Sequence, residues 1–120
     1  MKIFTILATL LILTSSALSY DEVKVTERTP NGYEKLSVTT GAVVRITEAL
    51  RNAARGVFIT VETNNIRFRV DGGDPAITTG HLVVAASYQS IWLNNRAAIR
   101  SLRMIGIGGT AVVHITTYQE

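Results

Sequence analysis

Alternating apolar and polar residues, abundant Val, Ile and Thr, and turn formers at intervals of about ten residues predict an all-β protein. The expected architecture is an antiparallel β-sandwich, jelly-roll-like, of about 7–8 short strands with one short helical turn, because an open sheet of that size would leave an apolar face in water. The 120 residues include nine glycines, two prolines and no cysteine. A disulfide framework and a cysteine-based metal site are therefore excluded, and the fold must be held by burial and backbone pairing.

The first residues have a composition of their own. Lys2 is the only charge before the apolar run of residues 3–13, and the small, polar stretch Thr14-Ser15-Ser16-Ala17-Leu18-Ser19 follows. The run is about half the roughly 20 residues a membrane-spanning helix needs. Ala17 and Ser19 supply the small side chains a signal peptidase requires three and one positions before its cut, so residues 1–19 read as a signal peptide cleaved after Ser19. Taking 19 residues from 120 leaves 101, enough for the single β-sandwich domain expected over residues 20–120. Loss of Lys2 from the twelve Lys and Arg leaves eleven against nine Asp and Glu, too small an excess to indicate a nucleic-acid partner. The expected location is secreted or extracytoplasmic, in the periplasm, at the cell surface or in a virion, with membrane contact only through the signal peptide.

Along the remaining chain, Val23-Lys24-Val25-Thr26-Glu27 alternates as a first strand, Thr29-Pro30-Asn31-Gly32 reads as a turn, and residues 33–38 and 42–46 read as strands. Thr47 is placed to cap a short helix over residues 48–55, with Leu50 and Ala54 on one face and Gly56 ending it in a left-handed conformation. Val57-Phe58-Ile59-Thr60-Val61-Glu62 and Asn65-Ile66-Arg67-Phe68-Arg69-Val70 predict a hairpin through Thr63-Asn64. Its register would set Val61 opposite Ile66, Ile59 opposite Phe68 and Val57 opposite Val70, with Phe58, Arg67 and Arg69 facing water. The structural turn Asp71, Gly72, Gly73, Asp74, Pro75 ends this element. Further strands are expected over residues 81–85, 87–93, 97–105 and 111–118, with Gly106-Ile107-Gly108-Gly109 as the last turn.

Candidate chemistry is sparse. His81 and His114 are the only histidines, so a zinc site would need both together with carboxylates. Asp71 and Asp74 are two possible calcium ligands where calcium takes about 6–8 oxygens, and they are more simply read as acceptors of turn amides. Glu62, Asp71 and Asp74 as paired carboxylates, or Ser87 and Ser90 beside a histidine, match no nucleophile-elbow or triad pattern. The glycines at 106–109 have no helix after them to bind a phosphate. No enzyme, cofactor or metal is expected. The candidate interaction surface is instead Phe58, Arg67, Arg69, Tyr88, Trp92, Arg100, Arg103 and Tyr118, where aromatic rings interleave with guanidinium groups, Arg96 included, to stack on sugars or bases. The competing reading buries Trp92 between Ile91 and Leu93 and leaves the arginines as solvated outward positions.

The stretch Asn65-Ile66-Arg67-Phe68-Arg69-Val70-Asp71-Gly72-Gly73-Asp74-Pro75, followed by Thr78-Thr79-Gly80-His81-Leu82, resembles a pattern of small tailed-phage virion proteins. There a strand of the type IRFR-DG-x-x-P leads through a threonine-rich turn to a GH-L strand, and the likeness extends loosely to residues 55–62, 99–105 and 111–118. The resemblance implies a virion accessory or structural β protein. Combined with an export signal, it leads to a non-enzymatic subunit of a virion-like assembly or surface filament, whose expected partner is a second copy of itself. The alternative is a secreted monomeric module that binds a glycan or cell-surface polymer through Trp92, Tyr88 or Tyr118. Expression in an export-competent host should yield an extracytoplasmic chain whose intact mass corresponds to a start at Tyr20, and a product retaining Met1 would refute the cleavage.

Overall fold

The computed structural model describes residues 27–119. The signal peptide expected at residues 1–19 and nearly all of the strand expected at residues 23–27 lie outside them. Seven strands form two antiparallel sheets facing each other across one core, the all-β sandwich the sequence predicts. The strands are β1 (Thr29–Val38), β2 (Gly56–Glu62), β3 (Asn65–Arg69), β4 (His81–Val83), β5 (Ser90–Leu93), β6 (Arg103–Ile107) and β7 (Ala111–Gln119). Two short helices, α1 (Glu48–Ala53) and α2 (Arg96–Ser101), interrupt them. Sheet 1 has the order β1-β7-β2-β5 and sheet 2 the order β4-β3-β6.

The core is the inward half of each alternating strand. Val57, Ile59 and Val61 of β2, Ile66 of β3, Met104 of β6 and Ala111, Val113 and Ile115 of β7 are all buried, joined by Ile46, Ile91, Ile99 and Leu102. Fully burying each such aliphatic side chain contributes about 1.5–3 kcal/mol. The one buried polar side chain among the described residues, Thr117, donates its hydroxyl proton to Asn31 Oδ1 at 2.8 Å, which satisfies it.

The predicted hairpin over residues 57–70 is corrected. β2 pairs with β7 and β5, β3 pairs with β6 and β4, and the two belong to different sheets. The expected inward set holds, with Val57, Ile59, Val61 and Ile66 buried and Phe68 and Val70 packed on the core. A two-residue period settles which face is buried, and it is silent on which strand lies alongside. Thr63, at φ +78°, turns the chain so that Asn64 N–H donates to Glu62 O at 3.0 Å, a tight three-residue turn that leads from one sheet to the other. The β6-to-β7 connection crosses back through Gly108 and Gly109, at φ +76° and +154°. Asn64 Nδ2 donates to Thr110 O at 2.9 Å, tying the two crossings together.

Other expectations give way to packing. Thr29-Pro30-Asn31-Gly32 is part of β1, with a register shift between Pro30 and Gly32 where a turn was expected. Residues 42–46 make only the bridge of Val44 to Met104, not a strand. Gly56 begins β2, and α1 ends at Ala54 in an extended conformation, so no left-handed glycine is used. The Thr47 hydroxyl bonds the Glu34 carboxylate and does not cap the helix. The strand expected at residues 97–105 is α2 followed by β6. Asn95 caps this helix, its Oδ1 accepting from Ala97 N at 2.8 Å and Ala98 N at 3.4 Å, while Ile99 enters the core. Gly106 and Ile107 belong to β6, which narrows the last turn. Residues 84–89 form a turn, so the strands expected over 81–85 and 87–93 shorten to β4 and β5.

Gly106 is inward-facing at the point of closest backbone approach. A Cβ there would lie 2.5 Å from Val38 O and 2.7 Å from Gly109 O, and neither main-chain atom can swing aside. Gly106→Ala should therefore lower stability by about 1–3 kcal/mol in urea unfolding. Gly41→Ala, with nothing within 4 Å, should stay within about 0.5 kcal/mol. Equal midpoints for the two variants would contradict the packing described.

Candidate functional site

The outward half of sheet 1 is a flat face built from four strands. Register places Tyr33, Thr116, Phe58 and Trp92 in one row, and Lys35, His114, Thr60 and Ser90 in the next. Phe58 and Trp92 are direct cross-strand partners with ring centroids 4.8 Å apart, and Tyr118 lies 5.5 Å from Trp92 on the other side. The tilts of 36° and 39° are favourable aromatic contacts, so the rings support one another as one apolar surface. Trp92 remains 53 % exposed, which decides between the two readings of its sequence context: the side chain faces out.

Beside Phe58 runs a groove of about 500 Å³ between β2 and the turn of residues 84–89, lined by Phe58, Thr60, Glu62, Tyr88, Gln89 and Ser90 among others. The turn is braced from within. Ser87 N and Oγ both donate to Val84 O, at 3.3 and 2.7 Å, and Gln89 Oε1 accepts from Val84 N at 3.1 Å. Tyr88 at its tip is wholly exposed and adopts φ +56°, uncommon for a bulky residue.

On the side of β2 away from the turn, Tyr33 Oη of β1 and His114 Nδ1 of the adjacent β7 share a hydrogen bond of 2.6 Å. His114 Nε2 lies 3.2 Å from Glu62 Oε2, close enough for an ion pair but out of line for a hydrogen bond. This diagonal link fastens the exposed edge strand β1 to the middle of the sheet. Tyr33 escaped the sequence reading because its partner is eighty-one residues away, and Gln89 escaped it because the turn at 84–89 was read as strand.

The arginines of the candidate surface are placed differently. Arg67 donates from Nε to Ile77 O at 2.7 Å and from Nη1 to Gly80 O at 2.8 Å. Arg69 grips Asp71 through two bonds of 2.9 and 2.6 Å, and Arg103 Nη1 meets Asp74 Oδ1 at 2.6 Å. All three sit on sheet 2 and hold the loop of residues 70–80, in which Pro75 is buried. Arg100 is exposed on α2, where its carbonyl accepts from Arg45, and burial and the nearby Arg100 and Arg55 lower the affinity of Arg96 for its proton. Phe58, Trp92 and Tyr118 thus come together with Tyr88 nearby, while Arg67, Arg69 and Arg103 gather on the opposite sheet.

His81 is on β4 of sheet 2, its ring 5.2 Å from Phe68, and His114 is on sheet 1, so the two do not converge. Among the described residues no three His, Asp, Glu or Cys are grouped as metal ligands would be. Asp71 and Asp74 face guanidinium groups, and Asp71 Oδ1 also accepts from Gly73 N at 3.3 Å. Comparison of the chain with protein-family models, with curated proteins and with solved structures finds no match.

The hydrogen bond from Arg69, with that from the Gly73 amide, holds the Asp71 carboxyl at about 2, below its ordinary 3.8, and the same bond raises the Arg69 guanidinium above its ordinary value. A depressed carboxylate contributes stability fully above its unfolded value and loses it as pH falls through the folded one. The 70–80 loop should stay fastened at pH 5 and loosen between about pH 4 and 2. A carboxyl NMR titration of Asp71 should show a midpoint near 2. Asp71→Asn should remove the part of this change that follows the Asp71 midpoint, at the amides of residues 71–73, and a midpoint at the ordinary value would show the pair broken in solution.

Proposed function

We propose that the chain is an exported, non-enzymatic structural subunit that associates with copies of itself by strand addition along β1. The observation that carries this reading is the free side of that strand: the ten-residue strand pairs with β7 on one side, all but Asn31 having a partner there, and, among the described residues, with no strand on the other. The remaining sheet edges are short or covered. β4 has three residues and β5 four. The outer side of β6 is occupied by Val44, which exchanges bonds of 2.8 and 2.9 Å with Met104, and by Thr39 O, which accepts from Gly106 N at 2.9 Å.

A long edge presents unpaired backbone donors and acceptors and is a template for another strand. Lys35 is the only charged side chain on its outer face, where Tyr33 and Ser37 flank it. Two β1 strands related by a two-fold axis would pair antiparallel and join two four-stranded sheets into one, an isologous contact that closes on itself. The resemblance to virion structural proteins supports the same reading. The stacked row of Phe58, Trp92 and Tyr118 favours a second one, a monomeric module that binds a glycan or cell-wall polymer.

Sedimentation of the mature protein over a dilution series should show a dimer or larger species that dissociates on dilution. Ser37→Lys adds like charge beside Lys35 while keeping the Tyr33–His114 bond, and should leave a monomer with an unchanged far-ultraviolet spectrum. A wild-type chain that stays monomeric at every concentration would sink the assembly reading.

A further inference from the structure

We infer that the groove between β2 and the 84–89 turn, continued by the face of Trp92, is a binding site for a neutral pyranose chain. The inference deepens the second reading above and is independent of the β1 edge, which lies at the other side of sheet 1.

The lining selects the chemical class. A pyranose ring is amphipathic: its axial C–H bonds form an apolar, weakly positive face, and its equatorial hydroxyls project from the rim. The π-face of an exposed aromatic ring carries the complementary negative quadrupole. Trp92 offers such a face, half-exposed and held in place by Phe58 at 4.8 Å and Tyr118 at 5.5 Å, so little ordering is left to the moment of binding. Next to it the groove supplies the polar half. Glu62 contributes a carboxylate that only accepts, Thr60 and Ser90 contribute hydroxyls that donate and accept, and Gln89 contributes its amide. The Gln89 oxygen is taken by Val84 N, which leaves its NH2 group to donate.

Charge narrows the class further. Among the described residues no Lys or Arg lines the groove, and its one acidic side chain is Glu62. Sulfated sugars, uronates, phosphates and nucleic acids would meet a carboxylate whose one ion-pair neighbour among the described residues, His114, lies outside the lining and already faces Glu62 at 3.2 Å, whereas the arginines that suit them are tied to the 70–80 loop on the opposite sheet. The volume of about 500 Å³ lies within the range of small-ligand sites, and the groove is open to solvent, as the passage of a chain requires. Tyr88, projecting fully into water at the rim, is placed to cover a second ring.

Trp92 is the only tryptophan, so its emission reports the site directly. The mature protein should be titrated with chitohexaose, cellohexaose, xylohexaose and maltohexaose, and with a heparin hexasaccharide as the anionic probe, while sedimentation at the same concentrations reports assembly. At least one neutral oligosaccharide should shift the emission saturably, with the sedimentation coefficient changing by no more than the bound mass. Tyr88→Ala and Gln89→Ala, both at exposed positions of the turn, should each weaken that binding at least tenfold while the far-ultraviolet spectrum is unchanged. Flat emission with all four neutral chains, tighter binding of the heparin fragment, or a response untouched by both variants would overturn the assignment. So would a shift that appears only as the protein self-associates, which would make the face a subunit contact and leave the β1 proposal standing.

Discussion

The placement of β7 between β1 and β2 is the constraint on which the rest of sheet 1 depends. It pairs with β2 in one unbroken register from Val112 to Tyr118 and with β1 from Ala111 to Thr117, before the shift at Pro30, so one strand fixes the position of two others that lie far from it in sequence. Its inward residues Ala111, Val113, Ile115 and Thr117 are fully buried, and its outward residues Val112, His114, Thr116 and Tyr118 stand on the open face. A slip of one residue would put His114 and Tyr118 into the core and four small or aliphatic side chains into water. The same register that stabilises the sandwich therefore aligns Tyr118 with Trp92 and His114 with Tyr33.

Sheet 2 depends on a different device. Arg67, Arg69 and Arg103 face outward, yet their guanidinium groups are engaged by Asp71, Asp74 and the carbonyls of Ile77 and Gly80. The loop they hold is long and would otherwise cover β3 and β4 loosely, since Ala76 and Thr79 make its only internal bridge. These pairs are largely exposed, and their worth lies in geometry: the bidentate grip of Arg69 on Asp71 fixes direction as well as distance. A residue type that signals recognition in a sequence here serves an internal structural end.

What the sequence made legible was set by the range of the interactions. The alternation in residues 57–70 and 111–118 correctly separates inward from outward side chains, because that property is local to each strand. The partner of each strand is not local. Thr63 and Asn64 satisfy the spacing of a hairpin loop, and only the pairing of β2 with β7, some fifty residues on, shows that they form a crossing between sheets. Residues 96–101 lack a strong helical period, and their helix rests on the Asn95 cap and the burial of Ile99, each of which outweighs a weak local preference. Phe58, Trp92 and Tyr118 were readable as aromatic surface candidates, but their contiguity required the register of three strands.

The outer side of β1, unpaired among the described residues, and the aromatic groove lie at opposite sides of sheet 1, so strand addition at one would not obstruct a ligand at the other. Joining two copies through β1 would put the two β5 strands at the ends of an eight-stranded sheet. Seven interstrand steps of ~4.8 Å set them about 34 Å apart, less any shortening from twist. Both grooves would then belong to one rigid body and, because a two-fold axis normal to the sheet keeps its faces in register, open on the same side. A polymer long enough to reach from one to the other would bind the second groove intramolecularly, so modest affinity at each site would become firm attachment without any further contact. Such coupling gives a physical reason for a long edge, guarded only by Pro30, the neighbouring register shift and Lys35, to be retained where the other edges of the described residues are short or covered.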